Sequence, residues 1–312
     1  MYSIVIPCYK SSQTIQKVVE LTIEQFNNMN IHDFEFILAN DCSPDDGKTL
    51  SALKILAEKY QFVKVINLGK NMGQHNAIMA CLNYASGDFI IGMDDDLQTD
   101  PSQLPLLIDK INEGYDLVYG YYQNKRESLF RRIGSRLNYT TVRMLIGKPK
   151  WIKTSSFWII RKYVKDCIIK YRSSSVHLQC VFLRATDNIA CVPIEHFERA
   201  IGQSTYTFKK LVKVYSSILS YSDILSRIMI TMGTILTVLG FTFSLVFTIF
   251  LTSSNFECSH KLIFSYITFL FGIIQLSIGF LEKKIEYISE KTSDKPQYIV
   301  KETWNIEDGN SK

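Results

Sequence analysis

The sequence contains no two cysteines separated by two residues, although it has seven cysteines in 312 residues. Without such a pair, neither a zinc ribbon nor a dithiol redox motif is expected. We interpret the thiols as reduced side chains, mostly buried, of a cytosolic domain. The cysteines are Cys8, Cys42, Cys81, Cys167, Cys180, Cys191 and Cys258.

A secretory signal and a strong charge of one sign are also lacking. A strand-like run, Ser3 to Ile6, begins almost at once, so we expect the amino-terminal domain to stay on the side where it is made. The net charge is +5, and the basic residues are scattered rather than gathered in a stripe, which argues against a nucleic-acid partner. A mild positive charge suits an anionic membrane surface and phosphorylated substrates.

Two long runs near the carboxyl end contain no charged residue. They cover residues 228–251 and 262–281, and each is long enough to span a hydrocarbon core of ~30 Å. Buried core helices would be the alternative, but the runs have no polar face. We predict two transmembrane helices. Gly233 and Gly240 in the first could permit close packing with another helix, including one of a second copy in a homo-oligomer.

Most of the basic residues near the two runs lie before the first run and after the second, not in the connection between them. Lys209, Lys210, Lys213 and Arg227 precede the first run, and Lys283 and Lys284 follow the second, whereas the connection carries Lys261. The positive-inside rule then predicts a multi-pass inner-membrane protein with both ends in the cytoplasm. The predicted parts are a catalytic domain over 1–208, an amphipathic juxtamembrane segment over 209–227, spans over 228–251 and 262–281, and a polar, loosely ordered tail over 282–312.

The first two thirds of the chain alternate strand-like and helical patterns, which predicts an α/β domain with a mostly parallel sheet. Ligands of such sheets bind beyond the carboxyl ends of the strands. Polar clusters follow the first, second and fourth predicted strands, over 9–12, 41–46 and 94–98. The predicted strands are Ser3–Pro7, Glu35–Asn40, Val63–Leu68, Asp88–Met93 and Asp116–Tyr119.

The sharpest signal is the run Asp94-Asp95-Asp96-Leu97-Gln98 after the fourth strand. If the strand continues, Asp94 and Asp96 share one face. Two carboxylates and the Gln98 amide suit Mg²⁺ or Mn²⁺ and leave positions for phosphate oxygens. The alternative is a solvated acidic loop with Asp100 as a helix cap.

A second acidic cluster, Asp41 to Asp46, follows the second strand. Asp41 could accept hydrogen bonds from a base or a ribose. Ser43 to Asp46 could equally form a turn and a helix cap.

Four successive motifs resemble those of the family 2 inverting glycosyltransferases. They are Ile4-Val5-Ile6-Pro7-Cys8-Tyr9-Lys10, Asn40-Asp41-Cys42-Ser43-Pro44-Asp45, Asn71-Met72-Gly73-Gln74-His75-Asn76-Ala77 and Asp94-Asp95-Asp96-Leu97-Gln98. Glu195 to Arg199 and Gly202 to Tyr206 resemble a further segment of the branch that includes dolichol-phosphate mannose synthase and bacterial polyprenyl-phosphate glycosyltransferases. The resemblance covers about residues 1–285.

The resemblance implies a GT-A fold, a nucleotide-sugar donor, a lipid-linked acceptor and a divalent metal ion. Pro7, Tyr9 and Asp41 would line the nucleotide pocket, with Gly73 and Gln74 also on the donor side. Asp94, Asp96 and Gln98 would hold the metal and the diphosphate. Arg199 and Ser204 would close over the phosphates, and the Arg fork suits phosphate oxygens.

One family segment, G-D-F-R-L, reads Ser155-Ser156-Phe157-Trp158-Ile159 here. The missing arginine would suit an acceptor phosphate, so its replacement by Trp158 leaves two acceptors open. A polyprenyl phosphate is already an anion, whereas a hydroxyl of a lipid-linked saccharide needs a base. His196, Glu195 and Glu198 are the candidate bases.

Weaker candidates and rival functions complete the predictions. His75 could contact the donor or support the residues that contact it. His177 is interpreted as structural. The basic run over 125–143 could bind lipid headgroups or the acceptor, or form a solvated helix face. A processive synthase would show a Q-x-x-R-W motif, which is not visible. A non-catalytic membrane scaffold that retains a nucleotide-sugar pocket is the alternative function.

Overall fold

A computed structural model describes residues 1–122, 149, 151–171, 176–195, 224–251, 257–292 and 296–306. The chain forms two compact units. The first comprises Met1–Leu211 and Asp294–Lys312, and the second comprises Val212–Ser293.

The first unit alternates strands and helices as the sequence predicts. Its first part consists of β1 (Tyr2–Cys8), α1 (Ile15–Asn28), β2 (Phe34–Asn40), α2 (Lys48–Lys59), β3 (Val63–Leu68), α3 (Gln74–Tyr84), β4 (Phe89–Gly92), α4 (Leu104–Asn112) and β5 (Leu117–Tyr122). Its later elements are β6 (Trp158–Arg161), α5 (Lys162–Ile168), α6 (Leu178–Ala185), β7 (Ile189–Ile194) and β8 (Val300–Trp304).

These strands form one eight-stranded sheet in the order β7-β5-β6-β4-β1-β2-β3-β8. The central strands β4, β1, β2 and β3 are parallel, whereas β6 and β8 run antiparallel to their neighbours. From β1 the chain first adds β2 and β3 on one side and then β4 on the other. The carboxyl ends of β1 and β4 therefore form a topological switch point, where α/β sheets bind ligands.

Helices cover both faces of the sheet because successive strand residues point to opposite sides. Ile4 and Ile6 of β1 belong to a core with α1, α2 and α4, whereas Val5 belongs to a second core with α3, α5 and α6. Strands buried on both faces read as continuous apolar runs, which is how β1 to β4 appear in the sequence.

The second unit is described through α7 (Ile224–Leu251) and α8 (Glu257–Thr292). The stretches Ser226–Ile249 and His260–Ile285 are long and apolar enough to cross a membrane, with mean hydropathy 1.9 and 17% buried. The second contains the predicted span over 262–281, and the first covers the predicted span over 228–251 except for its last two residues. Their low burial is unlike that of a core helix.

Glycines in these helices lie where the two backbones approach each other. A Cβ at Gly240 would lie 2.4 Å from the backbone nitrogen of Phe269, and one at Gly233 would lie 2.8 Å from that of Leu276. Ser244 and Ser265 share a hydrogen bond of 3.0 Å between the same helices. The close packing expected of Gly233 and Gly240 is thus made within the chain, and an oligomer through these helices stays a prediction.

The prediction of a loosely ordered tail over 282–312 is wrong for its described part. Helix α8 continues to Thr292, and β8 pairs antiparallel with β3. The Asn305 amide donates to the carbonyl oxygens of Ala57 at 2.7 Å and Val63 at 2.9 Å. The polar composition of the tail hid the strand, because an edge strand needs only one apolar face.

Candidate active site

The predicted polar clusters meet at the carboxyl edge of the sheet. Directly after β1, β2 and the fourth strand lie Lys10, Cys42 and Leu97, with φ of 60°, 49° and 60°. Left-handed backbone is unfavourable for such side chains and collects at functional sites, where the surrounding structure enforces it.

Both carboxylate oxygens of Asp94 accept hydrogen bonds from other segments of the chain. Its Oδ1 accepts a hydrogen bond of 2.8 Å from the Gln74 amide at the start of α3, and its Oδ2 accepts one from the Ser156 hydroxyl before β6. Burial, together with the charges of Asp96 and Asp95, raises the pKa of Asp94 to about 6, against the lowering effect of the hydrogen bonds from Ser156 and Gln74. Three chain segments far apart in sequence thus converge on one acid.

Asp95 has a different neighbour. Its Oδ2 accepts a hydrogen bond of 3.0 Å from the backbone N–H of Tyr9, the first residue after β1. Asp96 accepts one of 3.1 Å from the backbone N–H of Gln98. The strand ends at Gly92, so the premise that strand alternation orients Asp94 and Asp96 is wrong; a bend with the left-handed Leu97 orients them instead.

These residues fit a divalent ion whose remaining ligands come from a substrate. Within the described residues, no three His, Cys, Asp or Glu side chains converge as a ready metal cage. Magnesium-type ions are commonly held by one or two carboxylates plus phosphate oxygens and waters. Within the described part of the chain, no Lys, Arg or His side chain forms an ion pair with Asp94 or Asp95, so a cation would be attracted to these carboxylates.

Asp41 orders the loop before α3. Its Oδ1 and Oδ2 accept hydrogen bonds from the backbone N–H groups of Met72, at 2.7 Å, and Gly73, at 2.9 Å. Gly73 has φ of 86°, which favours glycine. Gln74 follows this loop, so Asp41 indirectly fixes the side chain that holds Asp94. Its contact with a nucleotide stays a prediction.

The other predicted nucleotide residues lie at the end of β1. Pro7 is buried within the strand, and the Tyr9 side chain is 47% exposed at the edge. An exposed ring at the switch point is available to a ligand. Ser43 and Asp45 form the expected turn, in which Asp45 accepts a hydrogen bond of 3.0 Å from the Thr49 N–H of α2.

Trp158 belongs to the core. It is 1% exposed, its ring lies 4.9 Å from that of Phe182, and a Cβ on Gly92 would lie 2.2 Å from its indole. Trp158 therefore occupies space beneath β4 rather than an open binding surface. Ser156, which stands where the family segment has an aspartate, donates a hydrogen bond to Asp94.

A cavity of about 160 Å³ lies beside Asp94, on the face covered by α3 and α6. The ring of His75 lies 4.9 Å from that of His177, whose Nδ1 lies 3.4 Å from Cys180 Sγ. Burial, followed by the neighbouring His177, lowers the pKa of His75 to about 4, so the imidazole is neutral at pH 7. The cavity is lined by Gln74, His75, Ile78, Tyr119, Ser155, Ser156, Trp158, Leu178, Gln179 and Phe182.

Several predicted residues cannot be placed. The following lie outside the described residues: His196, Glu198, Arg199, Ser204, the basic run over 125–143, and residues 209–223 of the juxtamembrane segment predicted over 209–227. Glu195 is described, and its backbone N–H lies 3.4 Å from Gln103 Oε1. Sequence analysis missed Tyr119 and the role of Ser156, because contacts made across the sheet leave no local pattern.

The mostly parallel sheet, its switch point and the acidic cluster there are typical of α/β enzymes that bind their ligand at this edge. Residues 3–169 match the model of glycosyl transferase family 2, and the chain belongs to that family. It is therefore a glycosyltransferase, as its motifs predict.

Curated relatives resemble the chain over nearly its whole length. The undecaprenyl-phosphate 4-deoxy-4-formamido-L-arabinose transferases of Enterobacter sp. (strain 638) and Klebsiella pneumoniae (strain 342) are each 26% identical over 302 residues. The alignments cover 96% of this chain and 92% of each relative.

Solved structures support the GT-A fold. Glucosyl-3-phosphoglycerate synthase from Mycobacterium tuberculosis, in complex with Mn²⁺, UDP-glucose and phosphoglyceric acid, is 16% identical with a TM-score of 0.51. The similarity covers 71% of this chain and 78% of that one. The same synthase with phosphoglyceric acid has 18% identity and a TM-score of 0.50, covering 71% and 80%.

Proposed function

We propose that the chain transfers a sugar, with inversion, from a nucleoside-diphosphate sugar to a polyprenyl phosphate, using a divalent ion held by Asp94 and Asp96. The observation that carries the donor half is the position of Asp94, held by Gln74 and Ser156 at the switch point of the sheet. The diphosphate would lie there, with the nucleoside toward Tyr9 and Asp41. Gln98 and, outside the described residues, Arg199 and Ser204 would complete the phosphate contacts.

A divalent ion bound at these acids would stabilise the charge that builds on the leaving diphosphate. Asp94 and Asp96 would supply its carboxylate ligands, while the hydrogen bonds from Gln74 and Ser156 hold Asp94 in one orientation. An acceptor oxygen then forms its bond to the anomeric carbon on the side opposite to the breaking bond to the diphosphate. This single displacement inverts the anomeric configuration.

Support for a lipid phosphate as acceptor comes from two sources. The names of the relatives specify undecaprenyl phosphate, and the chain carries two candidate membrane spans. A phosphate acceptor is already ionised and needs no base, although the arginine that would suit such a phosphate in the family segment is replaced here by Trp158. A saccharide hydroxyl would need Glu195, His196 or Glu198 as base.

We also propose that the catalytic domain and the last described strand face the cytoplasm. Strand β8 follows the two candidate spans in sequence and yet pairs with β3 of the sheet formed by the preceding residues. A chain that begins and ends in one sheet crosses a membrane an even number of times. Two spans satisfy this condition, and the flanking lysines favour the cytoplasmic side.

The test is transfer by the full chain in nanodiscs, with undecaprenyl phosphate and a panel of UDP-, GDP-, dTDP- and CMP-sugars, with Mn²⁺ or with a chelator. We expect one diphosphate class to give a labelled lipid only with metal. Asp94→Asn and Asp96→Asn should each lower the rate about 100-fold or more, since metal stabilisation contributes several kcal/mol.

Asp100→Asn is the matched control, because Asp100 caps the next short helix through the Ser102 N–H at 2.8 Å and Asn caps equally well. The donor that is used should also stabilise the protein by about 2.7 kcal/mol at 100 times its Kd. Stabilisation by a donor without transfer to any acceptor would support the scaffold alternative, and neither stabilisation nor transfer with any donor would overturn the proposed donor site. Transfer only to a saccharide-bearing lipid, abolished by Glu195→Ala or His196→Ala, would overturn the phosphate acceptor.

A further inference from the structure

The acidic run over 94–98 lies between two buried residues. Met93 is 2% exposed and Thr99 is 7% exposed, whereas the residues between them are half-buried. Within the run, Leu97 has the left-handed φ of 60°. Backbone of this kind is unfavourable for a leucine and persists only where surrounding contacts enforce it. A restraint at each end of the run would supply such enforcement.

Tyr122, the last residue of β5, restrains the carboxyl end of the run. The hydroxyl groups of Tyr122 and Thr99 lie 2.6 Å apart and share a hydrogen bond. Strand β6 lies between β4 and β5 in the sheet and runs antiparallel to both, so it begins at this edge. The Tyr122 side chain therefore reaches the loop after β4 across the start of β6. The bond joins the ends of two strands that are not neighbours.

The two ends of the run are held from opposite faces of the sheet. Tyr122 packs against the core that includes residues of α1, α2 and α4. Asp94 accepts its hydrogen bond of 2.8 Å from Gln74, which begins α3 on the other face. Asp96 lies between these two contacts in the sequence. Its position therefore depends on both of them.

The Tyr122 hydroxyl also lies near the acids of the run. Burial raises the pKa of Tyr122 above its ordinary value, against the lowering effect of the hydrogen bond with Thr99. The charges of Asp94 and Asp96 raise it as well. The hydroxyl is thus within electrostatic range of both carboxylates that are proposed to hold the divalent ion.

We propose that Tyr122 is a positioning residue for the divalent ion and acts through its hydrogen bond to Thr99. By fixing the carboxyl end of the run, this bond keeps Asp96 and Gln98 where they can bind the ion together with Asp94. The inference rests on the proposed function. Residues that orient metal ligands without touching the metal commonly matter for affinity almost as much as the ligands themselves.

The first measurement needs no metal. Hydrogen exchange of the full chain in metal-free nanodiscs, followed by mass spectrometry, reports how firmly the run is held. Tyr122→Phe removes only the hydroxyl and should speed exchange in the run about 3- to 10-fold, since one hydrogen bond is lost. Thr99→Val should have the same effect. The double variant should exchange no faster than either single variant, because both changes remove the same bond.

The second measurement is binding of Mn²⁺ by the full chain in nanodiscs, in the presence of UDP, GDP or dTDP. The electron paramagnetic resonance signal of free Mn²⁺ gives the affinity directly, without catalysis. Tyr122→Phe and Thr99→Val should each weaken Mn²⁺ binding about 10-fold. Thr99→Ser, which keeps a hydroxyl, should restore most of the affinity.

Tyr121→Phe is the matched control, because it removes a tyrosine hydroxyl from the neighbouring residue of β5. It keeps the ring, which lies 4.1 Å from Lys153 Nζ. Successive strand residues point to opposite faces, so this change should leave both measurements within about 2-fold of wild type.

Three results would overturn the inference. Unchanged exchange and Mn²⁺ affinity in Tyr122→Phe would show that the bond restrains nothing, and faster exchange with unchanged Mn²⁺ affinity would show a role in the fold alone. A double variant that loses more than either single variant would show that Tyr122 does not act through Thr99. Wild type that binds no Mn²⁺ with any of the three nucleotides would instead overturn the proposed function, and this inference with it.

Discussion

Glu35 ties four segments of the sheet together near its amino-terminal edge. Its carboxylate accepts hydrogen bonds from Ser3 of β1 at 2.6 Å, from Lys64 of β3 at 2.6 Å and from the N–H of Ser86 before β4 at 2.7 Å. Burial alone would raise the pKa of Glu35, but the hydrogen bonds from Lys64, Ser3 and Ser86 prevail and lower it below its ordinary value of 4.5.

Glu35→Gln should lower the free energy of unfolding by roughly 2–3 kcal/mol at pH 7, because hydrogen bonds to a charged group are lost. A carboxylate whose pKa is lower in the folded state stabilises the protein fully when the pH is above its unfolded-state pKa. This stabilisation is lost as the pH falls through the folded-state pKa. The difference in the free energy of unfolding between wild type and variant should therefore shrink below about pH 4.5. Thermal unfolding of the detergent-solubilised chain measures it. Glu58→Gln, at an exposed position of α2, should change stability by less than about 0.5 kcal/mol. A pH-independent difference would contradict this account.

Single residues of the site were partly predictable. The acidic run and the third motif identified Asp94 and Gln74, since both follow element boundaries that the sequence reveals. Their mutual hydrogen bond was not predicted, and neither was that from Ser156, because neither pairing follows from local periodicity. His75 and His177 lie about 100 positions apart and meet only because α3 and α6 cover the same face of the sheet.

At the scale of elements, β8 is the clearest departure from the sequence prediction. The five strands predicted from apolar runs all exist, and Val63–Leu68 has the predicted bounds. Strand β6 was interpreted only as a motif, and β8 lies within charged residues. A strand at a sheet edge is specified mainly by its partner, so its own sequence carries a weak signal.

Asn305→Ala should destabilise the first unit by about 1–3 kcal/mol, since the carbonyls of Ala57 and Val63 lose a donor and Ala disfavours the observed φ of 55°. The readout is faster hydrogen exchange in β3, measured by mass spectrometry. Asn305→Gly tolerates the left-handed backbone at this position and should therefore lose less stability than Asn305→Ala. Lys301→Ala is the control, because Lys301 is an exposed residue of β8, which ends directly before Asn305. Equal effects from both alanine variants would argue against the amide contacts.

At the scale of the whole molecule, the native cysteines can report the side of the membrane on which each part lies. Cys258 lies between the two candidate spans, whereas Cys42 and Cys167 are exposed in the catalytic domain. In intact cells, an impermeant thiol reagent should label Cys258, and Cys42 and Cys167 should react only after the membrane is opened. Cys258→Ser should abolish the labelling in intact cells. Labelling of Cys42 in intact cells would reverse the proposed orientation.

Strand β8 also imposes an order on biosynthesis. The ribosome makes β1 to β7 first, then both candidate spans, and only afterwards the strand that covers the edge of β3. At about 5–20 residues per second, that edge waits tens of seconds with its backbone groups exposed. Chains released before Val300 would keep this open edge, so the last strand distinguishes completed enzyme from fragments that quality-control proteases and chaperones can recognise.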